Sequence, residues 1–177
     1  MPEAAAASKP FRADATRIGQ ARDGRAVQLI AMTGDSAVRL GPALAGVGPW
    51  AHYNFTGDTL AAFLAGEMGE SHRLEIVCGG QSAGAVVIRY PWLAGPYLQM
   101  LAVLPQFQRL GIGGHALTWY ETQSRTIAAA RQVWLCVTAA NVDAQRFYRE
   151  HGYDLTATIA GLMRDGDDEL LMRKRLI

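Results

Sequence analysis

Tyr97-Leu98-Gln99-Met100-Leu101-Ala102-Val103 leads, through Leu104-Pro105-Gln106-Phe107, into Gln108-Arg109-Leu110-Gly111-Ile112-Gly113-Gly114. The first segment reads as a strand. A run of helical period begins at Ile112 and extends to about Ala130. Its core face is Ile112, Ala116, Tyr120, Ser124 and Ile127, with Leu117 and Ala128 beside them. A glycine-rich turn between a strand and a helix leaves bare N–H groups at a helix N-terminus. Those unpaired donors and the helix dipole favour a phosphate or pyrophosphate. The first expectation is therefore a phosphate-bearing ligand held mostly by main chain.

Outward from this junction the pattern is mixed. Ala26 to Met32 reads as a first strand, and Asp35 to Val47 as a helix in which Gly41-Pro42 predicts a break or kink. Trp50-Ala51-His52-Tyr53-Asn54-Phe55 is an aromatic connector. Asp58 to Met68 reads as a second helix, with Leu60, Phe63, Leu64 and Met68 on one face and Thr56 or Asp58 as its cap. Leu74 to Cys78 and Ala83 to Tyr90 flank Gly79-Gly80-Gln81-Ser82, a hairpin signal. After the glycine turn come a strand at Val133 to Thr138, a helix at Val142 to His151 stopped by Gly152, and strands at Tyr153 to Ile159 and Glu169 to Leu176. Hairpins followed by β-α-β-α-β predict an α+β fold, a three-layer α/β/α arrangement rather than a purely doubly wound sheet. Residues 1–24 are rich in alanine and charge. They read as a poorly ordered N-terminal arm or an early edge element, leaving 25–177 as a single domain.

Composition narrows the class. The 177 residues are 50% hydrophobic and 19% charged, with a formal net charge of +1, an ordinary globular balance. The near-neutral charge and the lack of a long Lys/Arg block argue against nucleic acid or an anionic membrane as partner. No stretch reaches the ~18 apolar residues of a membrane span, and Met1 to Ala7 lacks the basic start of a signal peptide. The expected location is the cytoplasm. Cys78 and Cys136 sit in strand-like runs and read as buried free thiols. With four scattered histidines they predict no metal site.

Three phosphate-binding designs compete for the turn. Gly111-Ile112-Gly113-Gly114-His115-Ala116 fits the G-x-G-x-x-G/A dinucleotide fingerprint. That fingerprint opens its βαβ unit tightly and is answered by an acid ~20 positions later, which this chain lacks. A P-loop needs Lys-Ser or Lys-Thr where Gly114-His115 stands. The third design rests on spacing. Val103-x-Pro105-x-x-Gln108-x-x-Gly111-x-Gly113 resembles motif A of the GCN5-related N-acetyltransferase (GNAT) superfamily, and Asn141-x-x-Ala144-x-x-Phe147-Tyr148-x-x-x-Gly152-Tyr153 resembles its motif B. The two occur in the family's order, joined by a helix and a strand, and the resemblance covers Leu74 to Leu176.

The resemblance implies a mixed, mostly antiparallel twisted sheet flanked by helices. Acetyl-CoA, as co-substrate, would lie in a splay between the strand ending at Val103 and the strand Val133 to Thr138. It implies that the backbone of Leu101, Ala102 and Val103 pairs with the pantetheine arm. Gln108, Arg109, Gly111, Ile112, Gly113, Gly114 and His115 would wrap the pyrophosphate through main-chain N–H groups, with Asn141 and Ala144 near the cofactor. Ala144, Phe147, Tyr148 and His151 share one helix face. The family turns that face to the cofactor sulfur, where the Tyr148 phenol can protonate the leaving thiolate.

The strand before the turn carries Tyr97 and Gln99 where many members carry a glutamate. Glu75, with His72 beside it, is a substitute base by position only, and a water chain to bulk is the alternative. Trp50, His52 and Tyr53, with Tyr97, would line the acceptor site; Trp50 and Tyr53 read equally as packing residues. The implied activity is direct transfer of an acetyl group to a primary amine of a small molecule or peptide in a ternary complex. A non-catalytic acyl-CoA-binding regulatory domain is the rival reading. A homodimer through C-terminal edge strands is the expected assembly where one forms.

Overall fold

The computed structural model describes residues 10–12, 14–66, 71–126 and 128–176. Eight strands form one sheet: β1 (Thr16–Gln20), β2 (Ala26–Ala31), β3 (Ser71–Cys78), β4 (Gln81–Trp92), β5 (Gly95–Val103), β6 (Gln132–Thr138), β7 (Asp154–Arg164) and β8 (Asp167–Arg175). Four helices accompany them: α1 (Gly34–Ala45), α2 (Gly57–Ala65), α3 (Ile112–Thr126) and α4 (Val142–Glu150). The strand order is β1-β2-β3-β4-β5-β6-β8-β7, and every pair is antiparallel except β5 with β6. The α+β expectation holds. Among the described residues no helix is long and apolar enough to cross a membrane.

The alternation of β3 separates the layers, because successive side chains leave opposite faces. His72 meets the Phe11 ring, which packs on Trp119 and Tyr120 of α3. Glu75, on the other face, meets Ser36 of α1. Gly79 and Gly80 close the β3–β4 hairpin with φ of +56° and +80°, a geometry that only glycine enters freely twice in succession. On α3 the buried residues are Ile112, Ala116, Leu117, Trp119, Tyr120 and Ser124, close to the predicted stripe. Ile127, Met68 and residues 1–9 lie outside the described residues.

One expectation needs correction. Gly41-Pro42 does not break α1, which continues to Ala45. A Cβ on Gly41 would collide with the backbone of Gly57 and Ala61 in α2, so the two helices meet at this bare position and their packing carries the turn through Pro42. For the segment before Arg25, the edge-element alternative is the one seen among the described residues. Thr16–Gln20 pairs with β2 as an edge strand, and Phe11 is 1% exposed among His72, Tyr90, Trp119 and Tyr120. One aromatic side chain inserted into the α3-side core is enough to order the segment that composition alone leaves loose. Phe11→Ala should therefore cost about 3–5 kcal/mol in urea unfolding, the penalty of a large core deletion, where an unattached arm would show almost none.

Candidate functional site

The parallel pair at the centre of the sheet is short. β5 and β6 are in register only at Tyr97↔Trp134 and Leu98↔Leu135. On its other side β5 stays paired with β4 as far as Val103↔Gly84, and β6 stays paired with β8 as far as Thr138↔Glu169. Within β5, Leu98 pairs Ile88 and Met100 pairs Val87, so Gln99 is an extra, bulged residue. A bulge bends its strand and adds local twist. The two strands part directly after it, leaving the β6-facing edge of Gln99 to Val103, including Leu101 and Ala102, without a strand partner. Extended backbone of that kind can receive a ligand as an added strand.

At the mouth of this splay the chain makes one 3-10 turn at Pro105–Phe107 and enters the glycine loop. The N–H groups of Arg109, Leu110, Gly111, Ile112, Gly113 and Gly114 find no acceptor among the described residues. Arg109 (φ 62°) and Gly111 (φ 82°) both sit in the left-handed region, which turns successive N–H groups to one side. Their carbonyls are held from behind. Arg22 donates its N–H to the Leu110 carbonyl at 3.0 Å and its guanidinium Nη1 to the Arg109 carbonyl at 3.2 Å. Arg22 lies in the segment first read as an arm, and nothing in its sequence context signals this long-range bracing.

Two residues expected to offer N–H groups have them engaged. Gln108 N–H donates to the Pro105 carbonyl at 3.2 Å, and its side chain Nε2 donates to the Val103 carbonyl at 2.9 Å. His115 N–H donates to the Gly111 carbonyl at 3.2 Å, while its Nε2 lies 2.9 Å from the Gln20 carbonyl. Gln108 thus shapes the turn, and His115 docks β1 against α3.

α4 closes one side of the loop. Asn141 caps it, its side-chain oxygen accepting from Ala144 N–H at 3.1 Å. The Phe147 ring comes so close to Gly113 that a Cβ there would stand 3.5 Å from it. Tyr148, the next residue, is 8% exposed, and its hydroxyl has no hydrogen-bond partner among the described residues. Burial pushes its pKa well above the ordinary phenol value, so the hydroxyl keeps its proton.

The other wall of the splay carries Tyr97, Cys136 and Thr138. Tyr97 is held protonated first by burial, then by the neighbouring Cys136 thiol, the Glu169 carboxylate and Tyr148. Burial also pushes the Cys136 thiol up, which keeps it from being a thiolate nucleophile. From the α1–α2 connection, Tyr53 donates to Glu169 Oε1 at 2.6 Å and lies 3.3 Å from Thr138 Oγ1. Burial and the Glu169 bond push the Tyr53 pKa up to about 12. Trp50 is half-buried against the core.

His52 is used differently. Its Nε2 is 3.0 Å from Asp167 Oδ1, and Arg164 donates to the second Asp167 oxygen at 2.6 Å and to the His52 carbonyl at 3.3 Å. His52, then Arg164, holds the Asp167 carboxyl below the usual range. This latch fixes the α1–α2 connection to the β7–β8 turn. Sequence reasoning missed Thr138, Arg164, Asp167 and Glu169, because they converge from separate elements and form no local motif.

Glu75, the substitute base by position, is 2% exposed. Ser36 and Ser82 donate to its two oxygens, and the Arg39 guanidinium lies 3.7 Å away. With both oxygens engaged, it ties α1 to the β3–β4 hairpin.

Comparison with known proteins supplies a family. Residues 49–153 match the model of the acetyltransferase (GNAT) family. An uncharacterized N-acetyltransferase of Methanocaldococcus jannaschii is 32% identical over 96 residues, which is 54% of this chain and 61% of that protein, so the match spans under two thirds of its length. A GNAT-family protein of Desulfovibrio desulfuricans superposes with a TM-score of 0.70 at 17% identity, over 85% of this chain and 99% of its own. A GNAT acetyltransferase of Elizabethkingia anophelis, solved with acetyl-CoA bound, has a TM-score of 0.55 at 16% identity, over 60% and 77% of the two chains. At these identities the structural likeness is one of fold. Glu75→Ala should lower stability by about 1–3 kcal/mol in denaturant titration, since it removes the acceptor of the buried Ser36 hydroxyl and of the part-buried Ser82 hydroxyl.

Proposed function

Because this chain belongs to the acetyltransferase (GNAT) family, we propose that it moves an acetyl group from acetyl-CoA to a primary amine, by direct transfer within a ternary complex. The observation that carries this reading is the meeting of three features. They are a row of unpaired N–H groups at the glycine loop, an unpartnered edge of β5, and a protonated Tyr148 hydroxyl near enough to act on Tyr97 of the same strand.

The residues fit the co-substrate in chemistry as well as in outline. The N–H groups from Arg109 to Gly114 suit the doubly charged pyrophosphate, where oriented amides and a helix N-terminus favour anions. The edge at Leu101, Ala102 and Val103 suits the amide-bearing pantetheine arm, which can hydrogen-bond as a strand does. Asn141 and Ala144 begin the helix that presents Tyr148. The thioester supplies an activated acyl group. Holding it beside an amine converts a bimolecular encounter into a local one. Tyr148 then donates its phenolic proton to the departing sulfur. The raised pKa of Cys136 favours direct transfer over an acyl-cysteine route. The acceptor is a small molecule or a peptide amine.

Gly113→Glu should weaken acetyl-CoA binding by roughly 10²-fold or more in calorimetric titration, since a carboxylate would face the phosphates. Unchanged affinity would remove the glycine loop from the binding site. Tyr148→Phe should lower kcat by roughly 10²-fold while leaving acetyl-CoA affinity near that of the unsubstituted protein. An undiminished kcat would assign the proton to another donor. Tight acetyl-CoA binding without turnover of any amine would favour a regulatory acyl-CoA-binding domain.

A further inference from the structure

Glu169 is the buried acid that the preceding reading leaves without a role. It is 5% exposed, at the β8 position paired with Thr138. Both of its protein hydrogen bonds fall on one oxygen: Oε1 accepts from Tyr53 Oη at 2.6 Å and from Thr138 Oγ1 at 2.8 Å. Among the described residues Oε2 accepts no hydrogen bond, and no Lys, Arg or His makes an ion pair with the carboxylate. The nearby cations are committed elsewhere. His52 pairs with Asp167, Arg164 pairs with Asp167 and lies over the Tyr53 ring at 5.7 Å, and Arg173 lies over the Trp134 ring at 5.6 Å.

Among the described residues the sealed polar atoms without a partner do not include Oε2, and a carboxylate largely removed from water favours a cation or further donors at its open oxygen. Glu75 is the internal contrast, since its burial is matched by two hydroxyls on separate oxygens and by Arg39. The Glu169 charge acts on Tyr97 and Cys136, the residues at and just past the point where β5 and β6 part, so the carboxylate borders the open splay.

We propose that Glu169, aimed by Tyr53 and Thr138, binds the acceptor's primary ammonium and takes its proton, so that the site selects cationic amines carrying no carboxylate next to the amine. The inference rests on the acetyltransferase reading above and names the acceptor side of the same site. The protons balance. The ammonium gives one to Glu169 and becomes a neutral amine. Its nitrogen lone pair forms the C–N bond as the C–S bond breaks. Tyr148 protonates the sulfur and is restored by the second proton shed from nitrogen, and Glu169 returns its proton to water. The sum is one ammonium and one thioester giving one amide, one thiol and one released proton.

The experiment measures acetyl-CoA-dependent release of free thiol by the full chain. The amines are spermidine, tyramine and a glycyl peptide amide, with free glycine and aniline as controls, and acetyl-CoA affinity is titrated in parallel. In Glu169→Gln the carbonyl oxygen still accepts from Tyr53 and Thr138, so the fold is kept. The expected result is turnover of at least one of the three cationic amines, a fall of roughly 10²-fold in kcat/KM for it in Glu169→Gln, and unchanged acetyl-CoA affinity. Tyr53→Phe should raise KM for the amine more than it lowers kcat. Three results would overturn the proposal: wild-type rates in Glu169→Gln, preference for free glycine or aniline, or no turnover of the cationic amines by protein that binds acetyl-CoA. Failure of the unsubstituted protein to bind acetyl-CoA would instead remove the acetyltransferase reading itself.

Discussion

The site depends on a failure of strand pairing. β5 and β6 meet at two register positions and then separate at the Gln99 bulge. Each keeps its other neighbour, so the sheet stays continuous while an open edge forms at its centre. An unpaired edge is ordinarily a liability for aggregation. Here it lies inside the sheet, between strands that each keep their other neighbour, and not at the sheet's outer rim. Tyr97, Cys136 and Thr138 line the opening because alternation along two parallel strands in register sends these side chains to one face.

The glycine loop is the second half of the same design, and its orientation is a tertiary matter. Glycines permit the left-handed turn. Arg22 then holds the Arg109 and Leu110 carbonyls, so the N–H groups of Leu110 and Gly111, trans to those carbonyls, point away from Arg22. His115 binds the Gln20 carbonyl and thereby docks β1 on α3. A segment that looks expendable by composition therefore braces the loop. Phe11, inserted among three aromatic rings and His72, anchors the start of that brace.

Two buried glutamates show how context sets the role of one residue type. Glu75 has donors on both oxygens and a guanidinium nearby, and it closes a structural joint between α1 and the β3–β4 hairpin. Glu169 has its hydroxyl donors on one oxygen and lies beside the splay. Their sequence surroundings, Leu74-Glu75-Ile76 and Asp168-Glu169-Leu170, do not reveal which donors each will meet. The His52–Asp167–Arg164 latch has the same character, joining the α1–α2 connection to the β7–β8 turn across residues far apart in the chain.

The amino-acid sequence by itself determined the elements, the glycine turn and the order of the two motifs, because these rest on local periodicity, glycine geometry and fixed spacing. It also carried the helix Val142–Glu150 and its Asn141 cap, since a short polar residue before a helical run suits the first free N–H groups. Pro42 misled it because a packing contact at Gly41 outweighed a local breaker. The bracing by Arg22, the saturation of Glu75 and the convergence of Tyr53, Thr138 and Glu169 were decided only by tertiary structure. Each joins side chains from strands and connections distant in sequence, and the register that brings them within hydrogen-bond reach is set by the whole sheet, not by any window along it.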